Sequence, residues 1–178
     1  MNTPAASSTD DAPIEVEEYH PAWPALFDTE RRLLEVALAP WLAGPIEHIG
    51  STSVPGLPAK PVIDIMAPVR SLPQSVAAIA AASAMGYLHY PYKPEQMHWF
   101  CKPSPAHRTH HLHIVPLGSA QWQQRLAFRD ALRGSAGLTA RYAALKRQLA
   151  LQHRHDREGY TEAKGPFIAE VLASLGLP

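Results

Sequence analysis

A glycine-serine pair and a later carboxylate are the residues of this chain best suited to chemistry. Gly50 and Ser51 follow a short apolar stretch, and Asp64 stands inside another apolar run. Glycine lets the backbone approach a ligand closely, and hydroxyl and backbone N–H groups can donate to phosphate oxygens. A buried carboxylate is costly unless it is coordinated or hydrogen-bonded, and it can hold a divalent cation against phosphates. We therefore predict phosphate binding by Gly50, Ser51, Thr52 and Lys60, with Asp64 on the cation and Asp64, Ser51 and Lys60 as the catalytic groups.

Two histidines offer a second set of metal ligands. His111 and His113 are two apart on a predicted strand, so they point to the same side and can chelate one ion. His98, on the predicted partner strand, joins them if the strand register allows. With Asp64 these residues predict a site for zinc, manganese or iron. The alternative is that the imidazoles bind substrate or backbone, and His110, which points the other way, is predicted to be structural.

Basic residues gather in the C-terminal part of the chain. Helical spacing places Arg125, Arg129 and Arg133 on one face. We predict that Arg129, Lys146 and Lys164 reach across to the phosphates of a bound nucleotide. The alternative for most of these cations is an ordinary solvated face. Tyr92 and Trp99 flank the predicted cleft and are candidates for stacking a base.

The elements that must position these residues follow from hydrophobic periodicity and from turn and cap residues. Residues 1 to about 13 are small, polar and acidic and are predicted to be disordered, whereas residues 14–178 are predicted to form a single domain. The pattern is typical of an α+β domain with a helical C-terminal part. The predicted strands are 14–19, 46–49, 62–66, 87–92, 97–101 and 109–115. The predicted helices are 21–42, 73–85, 120–133 capped by Ser119, 140–154 capped by Thr139, and a last one that begins at Thr161 or Pro166 and ends at Leu175.

Composition excludes several classes of function. The 178 residues carry 16 basic and 16 acidic side chains, so no strong positive field favours nucleic acid as a partner. The single cysteine, Cys101, rules out an intrachain disulfide, and no apolar run approaches the ~20 residues that span a bilayer. We expect a cytoplasmic monomer or homodimer that binds a small molecule or a nucleotide and does not bind membranes.

The string HIGSTSVPGLPAKPVIDI, residues 48–65, is far more specific than its Gly-Ser pair and resembles the signature of the GrpB family. That signature reads His-x-Gly-Ser-Thr-x-Val-Pro-Gly-Leu, then Lys-Pro, then an aliphatic pair and Asp. Later segments extend the resemblance over about residues 14–175. It implies a nucleotidyltransferase-like fold, a mixed β-sheet flanked by helices, and says less about the substrate. For the predicted phosphate site we expect a nucleoside triphosphate as substrate and Mg²⁺ or Mn²⁺ as cofactor, with Zn²⁺ as the alternative. The resemblance also favours Lys146, Tyr160 and Lys164 over the other C-terminal candidates for the nucleotide site.

One departure from that superfamily leaves the activity open. Nucleotidyltransferases usually carry two acids on the strand after Gly-Ser, both facing the metal, but the second position here is Met66. The leading hypothesis is metal-dependent transfer of a nucleotidyl or phosphoryl group from a triphosphate to a small acceptor. One alternative is a non-catalytic module that binds a nucleotide or a phosphorylated metabolite. The other is a transition-metal enzyme built on Asp64, His111 and His113.

Overall fold

The structure, a computed structural model, describes residues 13–178, so the predicted disordered tail lies outside the described residues except for Pro13. No helix in this range combines the length and apolar character needed to cross a membrane. The helices are α1 Trp23–Ala37, α2 Ala77–Ala84, α3 Ala120–Gly134, α4 Ala136–Gln152, α5 Arg157–Ala163 and α6 Gly165–Ser174. The strands are β1 Glu47–Ile49, β2 Ile63–Val69, β3 Leu88–Tyr90, β4 His98–Pro103 and β5 Arg108–Pro116.

The strands form one mixed sheet in the order β1-β2-β5-β4-β3. Only the central pair, β2 and β5, is parallel, and the other neighbours are antiparallel. This sheet and its flanking helices confirm the predicted α+β class, and β4 with β5 is the predicted hairpin. In the central pair, Asp64 lies beside His111 and Met66 beside His113.

The two faces of the sheet have different roles. Side chains alternate between the faces of a strand, so Ile63 and Ile65 point away from Asp64. On their face, Leu112 joins them in the largest apolar cluster, which α1 and α2 complete. The opposite face carries Asp64, His111 and His113, and α3 covers part of it through Trp122 and Leu126.

The C-terminal helices hold the loop that carries Ser51. Beyond this residue, Val54 and Leu57 are buried against Leu132 of α3 and Tyr142 of α4. The apolar contacts therefore fix the loop between β1 and β2 against the helical part of the chain. Ser51 is held in position by groups that are distant from it in the sequence.

Several predicted boundaries differ from the structure. The predicted strand at 14–19 is reduced to a single bridge between Glu17 and Ala59. The last helix begins at Gly165, within one residue of the predicted start at Pro166, whereas the alternative start at Thr161 lies inside a separate helix, α5. The helix predicted to begin after Thr139 begins earlier, because the Ser135 side chain accepts a hydrogen bond from the Leu138 N–H. Ser119 is confirmed as the cap of α3.

Removal of the Ser135 cap is expected to destabilise the protein. Ser135→Ala leaves the Leu138 N–H without its side-chain acceptor and should lower the free energy of unfolding by about 1 kcal/mol in urea denaturation. Ser83→Ala, at an exposed position inside α2, is the matched control and should be neutral or slightly stabilising. An equal loss in both variants would show that the side chain of Ser135 is not a cap.

Candidate functional site

The turn after β1 places Gly50 directly against Asp64. Gly50 has a φ of 72°, a conformation that residues with a Cβ rarely adopt. A Cβ built on it would lie 2.9 Å from both Cβ and Cγ of Asp64, and closer still to its Oδ2. The missing side chain therefore makes room for the carboxylate. This close approach is the physical reason for a glycine here.

Asp64, His111 and His113 form a compact group of possible metal ligands. His111 Nδ1 lies 2.9 Å from Asp64 Oδ1, and His113 Nε2 lies 3.7 Å from the same oxygen. One ligand atom from each residue falls within 4.8 Å of the others. In the described part of the chain, His111 Nε2 and both ring nitrogens of His113 are buried without a hydrogen-bond partner. Buried polar atoms normally have partners, so these nitrogens fit a site that binds a cation.

The protonation states of the cluster suit metal binding. Burial opposes ionisation of Asp64, but the hydrogen bond with His111 and the nearby ring of His113 outweigh this effect and hold the pKa of the carboxyl below its usual range. Burial and the neighbouring charge of Arg125 lower the pKa of His113 to about 4. At neutral pH the cluster therefore offers a carboxylate and a neutral imidazole, the forms that bind metal ions.

The inclusion of His98 in the ligand set is wrong. His98 pairs with Ile114 in the β4–β5 register, so its side chain lies on the apolar face of the sheet. The side chain of His113 lies on the other face. Its Nε2 contacts the Leu72 carbonyl at 3.3 Å and the Ser75 hydroxyl at 3.4 Å. The residue of β4 that faces His113 is Trp99.

Lys60 and Lys164 bring positive charge to one side of the cluster. Their ammonium groups lie 5.8 and 4.3 Å from the centre of the buried Tyr160 ring. Burial lowers the pKa of each lysine to about 8, and the charge of Asp64 acts in the opposite direction on both. Arg108 and Arg157 are further cations close enough to lower the pKa of Lys60. Both predicted lysines therefore lie over Tyr160 and within electrostatic reach of Asp64.

Ser51 and Lys146 belong to the wall between the site and the C-terminal helices. Ser51 lies close to the hydroxyl of Tyr142, a phenol whose pKa is raised by burial. Lys146 is buried, lies 5.0 Å from the centre of the Tyr142 ring and donates its ammonium proton to the Pro58 carbonyl. Burial lowers the pKa of Lys146 to about 7. Lys146 thus supports the loop between β1 and β2 through Pro58. Its predicted contact is with phosphate.

Two other predicted phosphate ligands have different partners. The Thr52 hydroxyl is buried and donates to the Val62 carbonyl at 3.1 Å, so it does not face the cluster. Arg129 is held by Glu47 and Asp130, each at 2.7 Å, and by the His48 carbonyl. Both side chains bind the protein itself. Phosphate binding by Thr52, through its backbone N–H, and by Arg129 stays a prediction.

A hydrogen-bonded chain behind the loop connects β1 to the start of β2. The Thr52 hydroxyl has one proton, which it donates to Val62, so the His48 Nε2–H must donate to Thr52 at 3.1 Å. The His48 ring also stacks on Phe27 with a centroid distance of 4.5 Å. These hydrogen bonds fix the spacing between Ser51 and Asp64 from outside the site. His48 and Thr52 are therefore positioning residues.

Arg125 was predicted to share a helix face with Arg129 and Arg133 but was not predicted to be a site residue. It lies on α3 beside Trp122 and Leu126, which pack on the sheet, and its charge acts on both His113 and Asp64. The apolar pair at i and i+4 was a usable signal, because it marks the face of α3 that meets the sheet. Arg108 was also overlooked as a site residue, and its guanidinium lies 5.4 Å from the centre of the Trp99 ring.

An aromatic row continues from the histidines towards the edge of the sheet. Trp99 lies 5.2 Å from His111 and 6.5 Å from His113, measured between ring centres. Tyr90 and Tyr92 follow at 5.9 and 6.1 Å from Trp99, and both are partly exposed. These positions suit stacking of a base by Tyr92 and Trp99, which stays a prediction.

Comparison with known proteins agrees with the signature of residues 48–65. The chain matches the family described as GrpB protein over residues 13–174. It is 42% identical over 173 residues to a UPF0157 protein of Pseudomonas aeruginosa, covering 93% of this chain and 69% of that protein. A UPF0157 protein of Bacillus subtilis is 33% identical over 155 residues, covering 87% of this chain but only 45% of the relative. The crystal structure of the conserved protein GrpB from Enterococcus faecalis superposes with a TM-score of 0.81 at 33% identity, covering 90% of this chain and 96% of that one.

Proposed function

The chain belongs to the GrpB family, and we propose that it binds a nucleoside triphosphate with a divalent cation and transfers a nucleotidyl or phosphoryl group to a small acceptor. Ser51 and the backbone after Gly50 would bind phosphate oxygens. Asp64, His111 and His113 would hold the cation. Lys60 and Lys164 would bind the remaining phosphates.

The charge balance around Asp64 carries this proposal. Among residues 13–178, the ion pairs of the structure leave Lys60 and Lys164 without a carboxylate partner, and the one carboxylate that favours their charged forms is Asp64. Partly buried cations with no opposing charge are costly, and a bound polyphosphate would offset that cost. A cation alone would be repelled by the lysines, so cation and anion are expected to bind together.

The reaction requires an acceptor oxygen, a phosphorus atom and a leaving group in line. In nucleotidyl transfer the acceptor oxygen forms a bond to the α-phosphorus, the bond to the bridging oxygen breaks, and pyrophosphate leaves while the acceptor proton passes to a base. Lys60 and Lys164 would stabilise the charge that develops on the leaving group. A divalent cation would supply Lewis-acid neutralisation of the phosphates. Because two of the three ligands are imidazoles, Mn²⁺ or Zn²⁺ suits the site better than Mg²⁺.

A non-catalytic binding module is the second candidate, and Met66 favours it. Met66 faces the same side as Asp64 but is fully buried in an apolar cluster with Ile49, Met97 and Val115. A second carboxylate at this position would be surrounded by aliphatic side chains. The usual pair of acids is therefore replaced by one acid and two histidines, a set that can hold a ligand without transferring a group from it.

The test is thermal unfolding of the native protein and of Asp64→Asn with ATP, CTP, GTP or UTP, each with Mg²⁺, Mn²⁺ or Zn²⁺. A ligand at about 100 times its Kd stabilises the folded state by about 2.7 kcal/mol. One nucleotide–metal pair should stabilise the native protein and not Asp64→Asn. Product analysis with that pair then separates the enzyme from the binding module, since only the enzyme consumes the triphosphate.

The other outcomes overturn the proposal in distinguishable ways. Stabilisation by Zn²⁺ or Mn²⁺ alone, with no further effect of nucleotides, would favour a transition-metal site on Asp64, His111 and His113. No stabilisation by any pair, at concentrations that saturate ordinary nucleotide sites, would exclude a triphosphate-using enzyme.

A further inference from the structure

Arg125 approaches the Asp64–His111–His113 cluster from a different side than the lysines. The ammonium groups of Lys60 and Lys164 lie over the ring of Tyr160, which packs with Leu149 of α4. Arg125 instead lies on α3 between Trp122 and Leu126, which pack against Met66 and Val115 of the sheet. The charge of Arg125 lowers the pKa of His113, which places the guanidinium on the histidine side of the cluster. The cluster therefore has cations at two separate ends.

The guanidinium of Arg125 is held in place by a hydrogen bond from only one of its three nitrogens in the described part of the chain. Its Nε donates to Gln121 Oε1 at 3.3 Å, and the Gln121 amide donates to Gln96 Oε1 at 2.8 Å. This chain of amides ties α3 to the segment before β4. In the range 13–178, Arg125 has no ion pair with a carboxylate, and its two terminal nitrogens have no protein acceptor.

Such a group is expected to have a ligand. Burial lowers the pKa of Arg125. Among residues 13–178 the guanidinium forms no ion pair that would compensate for this desolvation, although the charge of Asp64 acts on it. A guanidinium offers two parallel N–H donors that match a carboxylate or a phosphate. Trp122 and Leu126 pack α3 against Met66 and Val115 of the sheet, so the guanidinium is carried by a rigid element within electrostatic reach of His113.

We propose that Arg125 forms a second oxyanion subsite, which binds a carboxylate or phosphate group of the acceptor molecule while the lysine end binds the phosphates of the donor. The assignment of this anion to the acceptor rests on the proposed function, but the subsite itself does not. The acceptor is then a small acid or phosphate ester. Its anion would be anchored on α3, with the reacting oxygen directed towards the cluster.

Calorimetric titrations with three probes test this subsite. The probes are succinate for a carboxylate, glycerol 3-phosphate for a phosphate ester, and pyrophosphate with Mn²⁺ for the lysine end. Succinate or glycerol 3-phosphate should bind the native protein even when pyrophosphate is saturating. Arg125→Gln should weaken that binding about tenfold or more, the effect of losing a charged hydrogen-bond donor, and should leave pyrophosphate binding unchanged. Lys164→Gln should do the reverse.

Two further variants separate recognition from folding. Arg141→Gln removes an exposed helix arginine that pairs with Glu170 and should leave every titration unchanged. Arg125→Lys keeps the charge but loses the paired donors, so its affinity for the small anion should fall between those of the native protein and Arg125→Gln. Pyrophosphate binding shows in each variant that the site is folded.

Three results would overturn the subsite. They are displacement of both small anions by pyrophosphate, unchanged affinity in Arg125→Gln, and the absence of binding by either small anion at millimolar concentration. If the small anions bind through Arg125 while no nucleotide binds, the proposed transfer reaction fails and the oxyanion subsite remains.

Discussion

Replacement of Gly50 by alanine is expected to remove divalent-cation binding and to destabilise the fold. The new methyl group would occupy the space of the Asp64 carboxylate, because a Cβ at Gly50 lies within 2.9 Å of Asp64 Cβ and Cγ. Either the turn or the carboxylate must move, and a metal ligand displaced by even a fraction of an ångström binds poorly. We expect a loss of about 10- to 100-fold in Mn²⁺ affinity, measured by isothermal titration calorimetry.

The matched control is Gly56→Ala in the same loop. Gly56 has a φ of 77°, close to that of Gly50, but nothing lies within 4 Å of its added Cβ. Both glycines have a positive φ, but the ψ of Gly50 is −176°, which places it in a region that residues other than glycine essentially never adopt. Backbone strain and the clash with Asp64 together should therefore cost Gly50→Ala at least about 2 kcal/mol more than Gly56→Ala in denaturant unfolding.

A double-mutant cycle covers the case in which Gly50→Ala folds poorly. Asp64→Ala removes Cγ and Oδ2, so Gly50→Ala should be less costly in that background than in the native one. Equal costs in the two backgrounds, or Mn²⁺ affinity equal to that of Gly56→Ala, would contradict the account of Gly50 given above.

Local periodicity predicted the parts of the site that lie within one strand. His111 and His113 share a face because side chains alternate along β5, whatever the partner strand. His98 depended on the register between β4 and β5, and a shift of one residue moves every side chain to the other face. That register depends on how Phe100 and Leu112 pack against the rest of the core. The sequence of the hairpin alone does not contain this information.

The arginines of α3 show that prediction from helical spacing has the same limit. Arg125, Arg129 and Arg133 share a face as predicted, but each successive arginine is about 6 Å further along the axis. The three arginines therefore have different neighbours. The charge of Arg125 acts on the histidine cluster, Arg129 pairs with Glu47 of β1, and Arg133 donates to the Ser53 carbonyl. Spacing predicts the common face, whereas the partners follow only from how α3 crosses the sheet.

Acidification should destabilise the protein through His48, which is buried behind the Ser51 loop. Burial lowers the pKa of His48 from 6.5 to about 4, because the charged ring loses its hydration beside Phe27 and Thr52. Between pH 6.5 and 4 the unfolded chain takes up a proton at this residue and the folded chain does not. The stabilising contribution is therefore complete above pH 6.5, and about 3 kcal/mol of it is lost by pH 4.

Two substitutions isolate this contribution from those of the other histidines. His48→Gln keeps an N–H donor near Thr52 but does not titrate, so its free energy of unfolding should fall about 3 kcal/mol less than that of the native protein between pH 6.5 and 4. Thr52→Val breaks the same hydrogen-bonded chain and leaves His48 in place. It should lower stability at every pH while keeping the native pH dependence. Parallel curves for His48→Gln and the native protein in urea unfolding would mean that His48 is protonated in the folded state at mildly acidic pH. In that case His48 would not be the neutral Nε2–H donor to Thr52 that we infer, and its role in positioning Ser51 and Asp64 would be wrong.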